Sequence, residues 1–167
     1  MGAYYYASGR RIELDSDDEH VAVDRGAAKR AGLDEHLPAD TKAAGANPPV
    51  VVAPRSELDA ATLASLRKAG AIQSVYRRDR AVMVPLPEVR VEFDSAEQRK
   101  AVLRLLAEGD LPQHTIKESS DDRLVIAPAS GLGDDALKIA NEIYERTKPA
   151  AASARFVQIV PKPTARR

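Results

Sequence analysis

From Val89 to Phe93 apolar and polar residues alternate: Val89, Val91 and Phe93 on one side, Arg90 and Glu92 on the other. That two-residue period predicts a strand with one wet face. The period then lengthens. Ser95 and Gln98 stand three apart, as in a capping box, ahead of a helix whose Val102, Leu103, Leu105 and Leu106 face a core. Thr115–Glu118 and Arg123–Ala127 flank Ser119-Ser120-Asp121-Asp122 and predict a hairpin. Gly131 and Gly133 loosen the approach to a second helix, predicted to be capped by Asp134. That helix carries Leu137, Ala140, Ile143 and Tyr144 at helical spacing. Pro149 stops it. Ala150–Ala154 reads as a flexible bridge, and Phe156, Ile159 and Val160 as a last strand.

The first half has shorter elements. Tyr4–Tyr6 and Arg11–Leu14 predict a hairpin around Ala7-Ser8-Gly9, its tyrosines packed along an edge strand. His20–Val23 predicts a strand and Gly26–Leu33 a short helix. Residues 34–49 are rich in Pro, Ala and polar residues without a period, which predicts a loop. Val50–Ala53 is an apolar strand. Ser56, with Asp59 three residues on, predicts a capped helix over Leu58, Leu63, Leu66 and Ala69, ended by Gly70. Ala71–Tyr76 is a strand, Arg77–Arg80 a charged turn, and Ala81–Val84 a strand stopped by Pro85 and Pro87. The expected class is α+β. A ferredoxin-like βαββαβ domain is expected over 81–163, a smaller α/β segment over 1–80 is expected to pack on it, and 164–167 is a flexible tail.

Composition narrows the chemistry. Apolar residues make up 44% of the 167, enough for a core, but aromatics only 4%, so Val, Leu, Ile and Ala must build it. Lys and Arg total 25, as do Asp and Glu. That balance argues against nucleic acid as a partner, although the end of the chain is locally basic. The absence of cysteine excludes disulfides, thiolate metal sites and a cysteine nucleophile. With no leader-like or membrane-length apolar run, the expected compartment is the cytoplasm. His20, His36 and His114 have no metal-ligand spacing, and His20 reads as part of a solvated acidic turn with Asp15, Asp17, Asp18 and Glu19. Gly131-Leu132-Gly133 lacks the third glycine and the Lys-Ser/Thr of phosphate loops, and Asp134 and Asp135 would repel phosphate there. Ser8, Ser119 and Ser130 follow no nucleophile-elbow pattern. No catalytic, cofactor or metal residue is expected, and the chain reads as noncatalytic.

The stretch VYRRDRAVMVPLPEVRVEFDSAEQRKAVLRLLAE, with the later phrase Ala140-Asn141-Glu142-Ile143-Tyr144-Glu145, resembles the N-terminal prodomain of bacterial subtilisin-like serine peptidases of the fervidolysin-like type. The resemblance covers roughly residues 75–163, with an echo at 4–25. The final segment, TKPAAASARFVQIVPKP, is longer and more basic than the family pattern, and no Asp-, His- or Ser-bearing peptidase motif occurs. The resemblance implies a protein that binds, helps fold or inhibits a subtilisin-like peptidase domain, in cis or in trans. Its C-terminal tail of Val160, Pro161, Lys162, Pro163, Thr164, Ala165, Arg166 and Arg167 would lie in the protease cleft. An extended segment there adds main-chain hydrogen bonds to a substrate groove, and Pro161 and Pro163 lower its ordering cost. The alternative is a protein-interaction or scaffold module of the same fold that self-associates through an edge strand.

Overall fold

The computed structural model describes residues 3–33, 42–43, 50–108 and 110–159, the pair 42–43 by its backbone alone. The elements are β1 (Ala3–Ala7), β2 (Arg10–Ser16), β3 (His20–Asp24), α1 (Arg25–Arg30), β4 (Lys42–Ala43), β5 (Val50–Pro54), α2 (Ala60–Lys68), β6 (Ile72–Gln73), β7 (Tyr76–Arg78), β8 (Ala81–Glu92), α3 (Ala96–Ala107), β9 (His114–Ser119), β10 (Arg123–Pro128), α4 (Gly133–Thr147) and β11 (Ala151–Ile159). The class is α+β with antiparallel ladders. Among the described residues no helix is long and apolar enough to cross a membrane. The chain divides into two compact units. One is Asp15–Val84 with the end of β11 from Val157 to Ile159; the other is the β1–β2 hairpin up to Leu14 with Pro85–Phe156. The first hairpin groups with the second half of the chain.

In the first unit β3 runs between β5 and β6, and β4 adds to β5. Val21, Val23 and Val51 form a core with Ala27 and Ala28 of α1, Leu58, and Leu66 of α2. Asp24 caps α1 by accepting from the Ala27 amide at 3.1 Å. The cap of α2 is Asp59, which accepts from the Thr62 amide at 2.7 Å, and not Ser56. Arg55–Glu57 form a separate 3₁₀ turn, and buried Leu58 holds the extended conformation, so the helix cannot begin earlier. Lys42 and Ala43 pair with Val52 and Val51 within the expected loop; its remaining residues, 34–41 and 44–49, lie outside the described set. The strand expected over Ala71–Tyr76 is broken at Ser74 and Val75. There the Val75 carbonyl accepts from the Asp17 amide at 2.9 Å. β7 and β8 form a hairpin around Asp79 and Arg80, with Asp79 in the left-handed region at φ 54°.

In the second unit β1 and β2 pair antiparallel from Ala3↔Leu14 to Ala7↔Arg10. Ser8 at φ 51° and Gly9 at φ 76° close them in a two-residue turn, one residue tighter than expected, with the positive φ pair of a primed turn. The remaining strands lie in the order β11–β8–β10–β9, with β8–β10 and β10–β9 antiparallel. Val89, Val91, Leu124 and Ile126 are wholly buried on one face of this sheet. With them are buried Val102, Leu105, Ile139 and Ile143, from α3 and α4, which pack on each other. Ser95 caps α3 at 3.3 Å from the Gln98 amide, while Gln98 Oε1 accepts from the Asp94 amide at 2.6 Å, one residue ahead of a standard box.

Three expectations in this unit are corrected. β8 continues through Pro85 and Pro87. The β7 register ends at Met83 and the β10 register begins at Val89, so neither ladder needs the N–H groups the prolines lack. Ala151–Ala154 is strand, because Ala152 and Ala154 are buried on alternate positions. Helix α4 starts at Gly133 with Leu132 at the cap position, and Asp134 lies inside its first turn. Gly133 does not loosen the connection: a Cβ there would stand 1.8 Å from the Pro85 carbonyl oxygen.

Candidate docking surface

The tail expected to bind a partner, Val160–Arg167, lies outside the described residues; β11 brings the chain as far as Ile159. The described residues show how the sheet that precedes it is decorated. Opposite the buried positions of β8 and β10, register places Arg123 across from Glu92 and Arg90 across from Val125, with Glu118 of β9 on the far side of Val125. Glu88 accepts from Arg90 Nε at 3.2 Å and lies 3.6 Å from Arg155 of β11. The wet face thus carries cations and anions side by side. Exposed pairs of this kind are worth less than about 1 kcal/mol each, so a partner can replace them at little cost.

The N-terminal hairpin is fixed to α4 by polar contacts spanning almost the whole chain. Residues 4 and 6 share one face of β1, and residues 141 and 145 share one face of α4. The Tyr4 and Tyr6 hydroxyls both donate to Glu145 Oε2, at 3.0 and 2.6 Å, and Asn141 Nδ2 donates to the Tyr4 carbonyl at 2.8 Å. The Tyr6 ring stacks on Tyr144 at 4.6 Å, Arg11 lies 3.7 Å over the Tyr4 ring, and Tyr5 meets Phe156 at 4.9 Å. The bond to Glu145, with partial loss of water and the carboxylate's charge, pushes the Tyr6 phenol up to about 12. Burial, then the same carboxylate, raises Tyr4. The tyrosines pack along a strand at the end of the ladder order, as expected, and also anchor the hairpin to the helix. The readable signal was the two-residue spacing of Tyr4 and Tyr6 against the i,i+4 pair Asn141 and Glu145.

Near the hairpin tip a shallow pocket of about 200 Å³ is lined by Tyr5, Gly9, Tyr144, Phe156 and the alanines of β11. Among the described residues, buried Asn141 Oδ1 has no hydrogen-bond partner.

The remaining chemistry-bearing residues serve the scaffold. His20 is not part of a solvated turn. Its Nδ1 lies 3.0 Å from Asp17, whose side chain is only 7% exposed and also accepts from Arg77 Nε at 2.7 Å and the Glu19 amide at 3.0 Å. Burial works to raise the Asp17 carboxyl, but the bonds from His20, Arg77 and the Glu19 amide outweigh it and hold the group below the usual carboxylate range. His114 Nδ1 lies 2.8 Å from the Pro112 carbonyl, and His36 is outside the described residues. Ser130 donates to Asp135 at 2.6 Å and accepts from the Leu132 amide at 3.2 Å, closing the turn before α4. Among the described residues no three His, Asp or Glu side chains come together as metal ligands.

The chain matches no protein-family model, no curated protein and no solved structure.

Proposed function

We propose that the chain is a noncatalytic, prodomain-like protein that binds a subtilisin-like serine peptidase, helping it fold or inhibiting it, with residues 160–167 lying in the peptidase cleft. The observation that carries this reading is the strand order β11–β8–β10–β9 with the last strand leading straight into that tail. The order is the one a ferredoxin-like βαββαβ chain adopts, and we read the second unit as that arrangement. It leaves one sheet face for helices and one for a partner. The open face supports docking, because its exposed Arg90 and Arg155, with half-buried Glu88 paired to both, offer mixed charge for complementary pairing. Fold alone does not define function. The reading also rests on the resemblance of residues 75–163 to such prodomains. The test is inhibition of a subtilisin-like peptidase by the full chain and by a form ending at Val160. The full chain should inhibit and the shortened form should inhibit less; no inhibition by either rejects the proposal.

A second reading is self-association through β9. This strand stands at the end of the ladder order and exposes Ile116, 44% accessible. Lys117 and the register shift opposite Val125 and Ile126 act against it, since a central lysine and a bulge are common guards of a sheet edge. Light scattering separates the two. An oligomer broken by Ile116→Lys and unaffected by tail removal would favour self-association.

A further inference from the structure

The β7–β8 hairpin ends in a group of charges of which the scaffold engages one arginine. Four consecutive positions carry Arg77, Arg78, Asp79 and Arg80. Arg77 is committed to Asp17 at 2.7 Å. Among the described residues Arg78 and Arg80 make no ion pair, and both are exposed. They line a shallow recess of about 380 Å³ together with Asp79, Ala81 and Gln158. Gln158 is the penultimate described residue of β11, so the recess lies where the chain leaves the last strand.

Its geometry is held from the backbone. Arg78 pairs with Ala81 across the hairpin, and Asp79 takes the left-handed turn conformation. The two guanidinium groups are therefore fixed at their roots, two residues apart across a tight turn. Guanidinium forks match carboxylates through paired N–H···O bonds. Asp79 in the same recess lowers its net charge to about that of one arginine. That suits discrete carboxylates better than the dense charge of a nucleic-acid backbone, where affinity grows with the number of phosphates neutralised.

We infer that Arg78 and Arg80 are docking residues that receive surface carboxylates beside the substrate cleft of the bound peptidase, steering the tail into place. The inference rests on the prodomain-like reading and names a charge requirement that the reading alone does not contain. Steering charges act mainly on association rate and are sensitive to salt.

The experiment measures association of the full chain with a subtilisin-like peptidase whose cleft rim is acidic, from progress curves of inhibition at low and at high salt. Three proteins are compared: the wild type, Arg78→Glu/Arg80→Glu, and Lys100→Glu/Lys138→Glu, which makes the same change in net charge on α3 and α4. Circular dichroism establishes that each is folded, and Arg78→Ala/Arg80→Ala replaces the hairpin reversal should that one fail to fold. The expected result is an association rate about tenfold lower for the hairpin variant at low salt, with a flatter salt dependence, and little change for the helix variant. Inhibition by the wild type with equal rates for the two reversed variants overturns the inference and leaves the prodomain-like reading standing. No inhibition by the wild type rejects both. If duplex DNA retains the wild type at low salt, and only the hairpin variant loses retention while its inhibition is unchanged, the arginines serve nucleic acid and the inference is overturned.

Discussion

Replacing Gly133 by alanine should destabilise the protein even though alanine is the better helix former. The propensity difference, up to about 1 kcal/mol in a helix interior, favours the substitution. Packing opposes it. The added Cβ would lie 1.8 Å from the Pro85 oxygen, 2.4 Å from its carbonyl carbon and 3.1 Å from the Leu86 nitrogen. Ordinary contact begins near 3.4 Å, so the approach is about 1.6 Å too close. All three are backbone atoms, so no side chain can turn aside. Either α4 lifts from β8, loosening Ala136, Leu137 and Ala140 that are buried beside it in sequence, or β8 bends next to two prolines. Overpacking of well-filled cores costs about 1–3 kcal/mol, and this site belongs at the upper end. A net loss of about 2–3 kcal/mol lowers Tm by roughly 8 °C for a chain of this size. Urea unfolding followed by circular dichroism reads the loss as a lower midpoint at unchanged slope. Gly131→Ala is the control. Gly131 has φ 71° with open space around its Cβ position, so only backbone strain of about 1–2 kcal/mol applies. A Gly133→Ala protein as stable as the wild type, or losing no more than Gly131→Ala, would refute the close approach of α4 to β8.

Three further outcomes follow from the anchor and the buried carboxylate. Folded Tyr6 should keep its proton to about pH 12, and Glu145→Gln should return it toward 10, read from the ultraviolet absorbance of tyrosinate. Because the folded value is the higher one, the folded state binds more protons between pH 10 and 12. The stability this phenol contributes is complete below pH 10 and is lost as pH rises through that window, which denaturant titration at several pH values would show. Asp17→Ala should cost about 2 kcal/mol by leaving Arg77 and His20 without their shared acceptor, measured by urea unfolding. Since Asp17 is held below its ordinary value, its contribution should be present at neutral pH and vanish on acidification, and Asp17→Ala should flatten that acid limb. Asn141→Ala should cost about 1–2 kcal/mol and weaken hydrogen-exchange protection of β1, because the Tyr4 carbonyl loses its donor.

What could be read in the chain depended on how locally each feature was encoded. The alternation of Val89, Val91 and Phe93, the Ser95 cap and the hairpin around Ser119–Asp122 are local signals, and each element lies where they put it. Pro85 and Pro87 looked like a stop because proline removes a ladder donor. Only the registers show that β8 passes them between the end of its β7 ladder and the start of its β10 ladder. Alanine carries little strand preference, so Ala151–Ala154 revealed its burial only in three dimensions. Gly133 looked permissive because its constraint is a neighbouring backbone remote in sequence. The hairpin anchor was least legible: Tyr4 and Glu145 are 141 residues apart, so each local spacing marks a face but not the face it meets. His20 likewise looked solvated until Arg77, far along the chain, closed on Asp17 beside it.

In the proposed function, residues 160–167 and the strand before them make the decisive contact with the peptidase. Its most direct test is a tight-binding titration of a subtilisin-like peptidase with the full chain, repeated with a chain ending at Val160 whose fold circular dichroism shows to be intact. The account predicts dose-dependent inhibition by the full chain that weakens at least about tenfold, roughly 1.4 kcal/mol, without the tail. Peptidase activity unchanged by both proteins would contradict it.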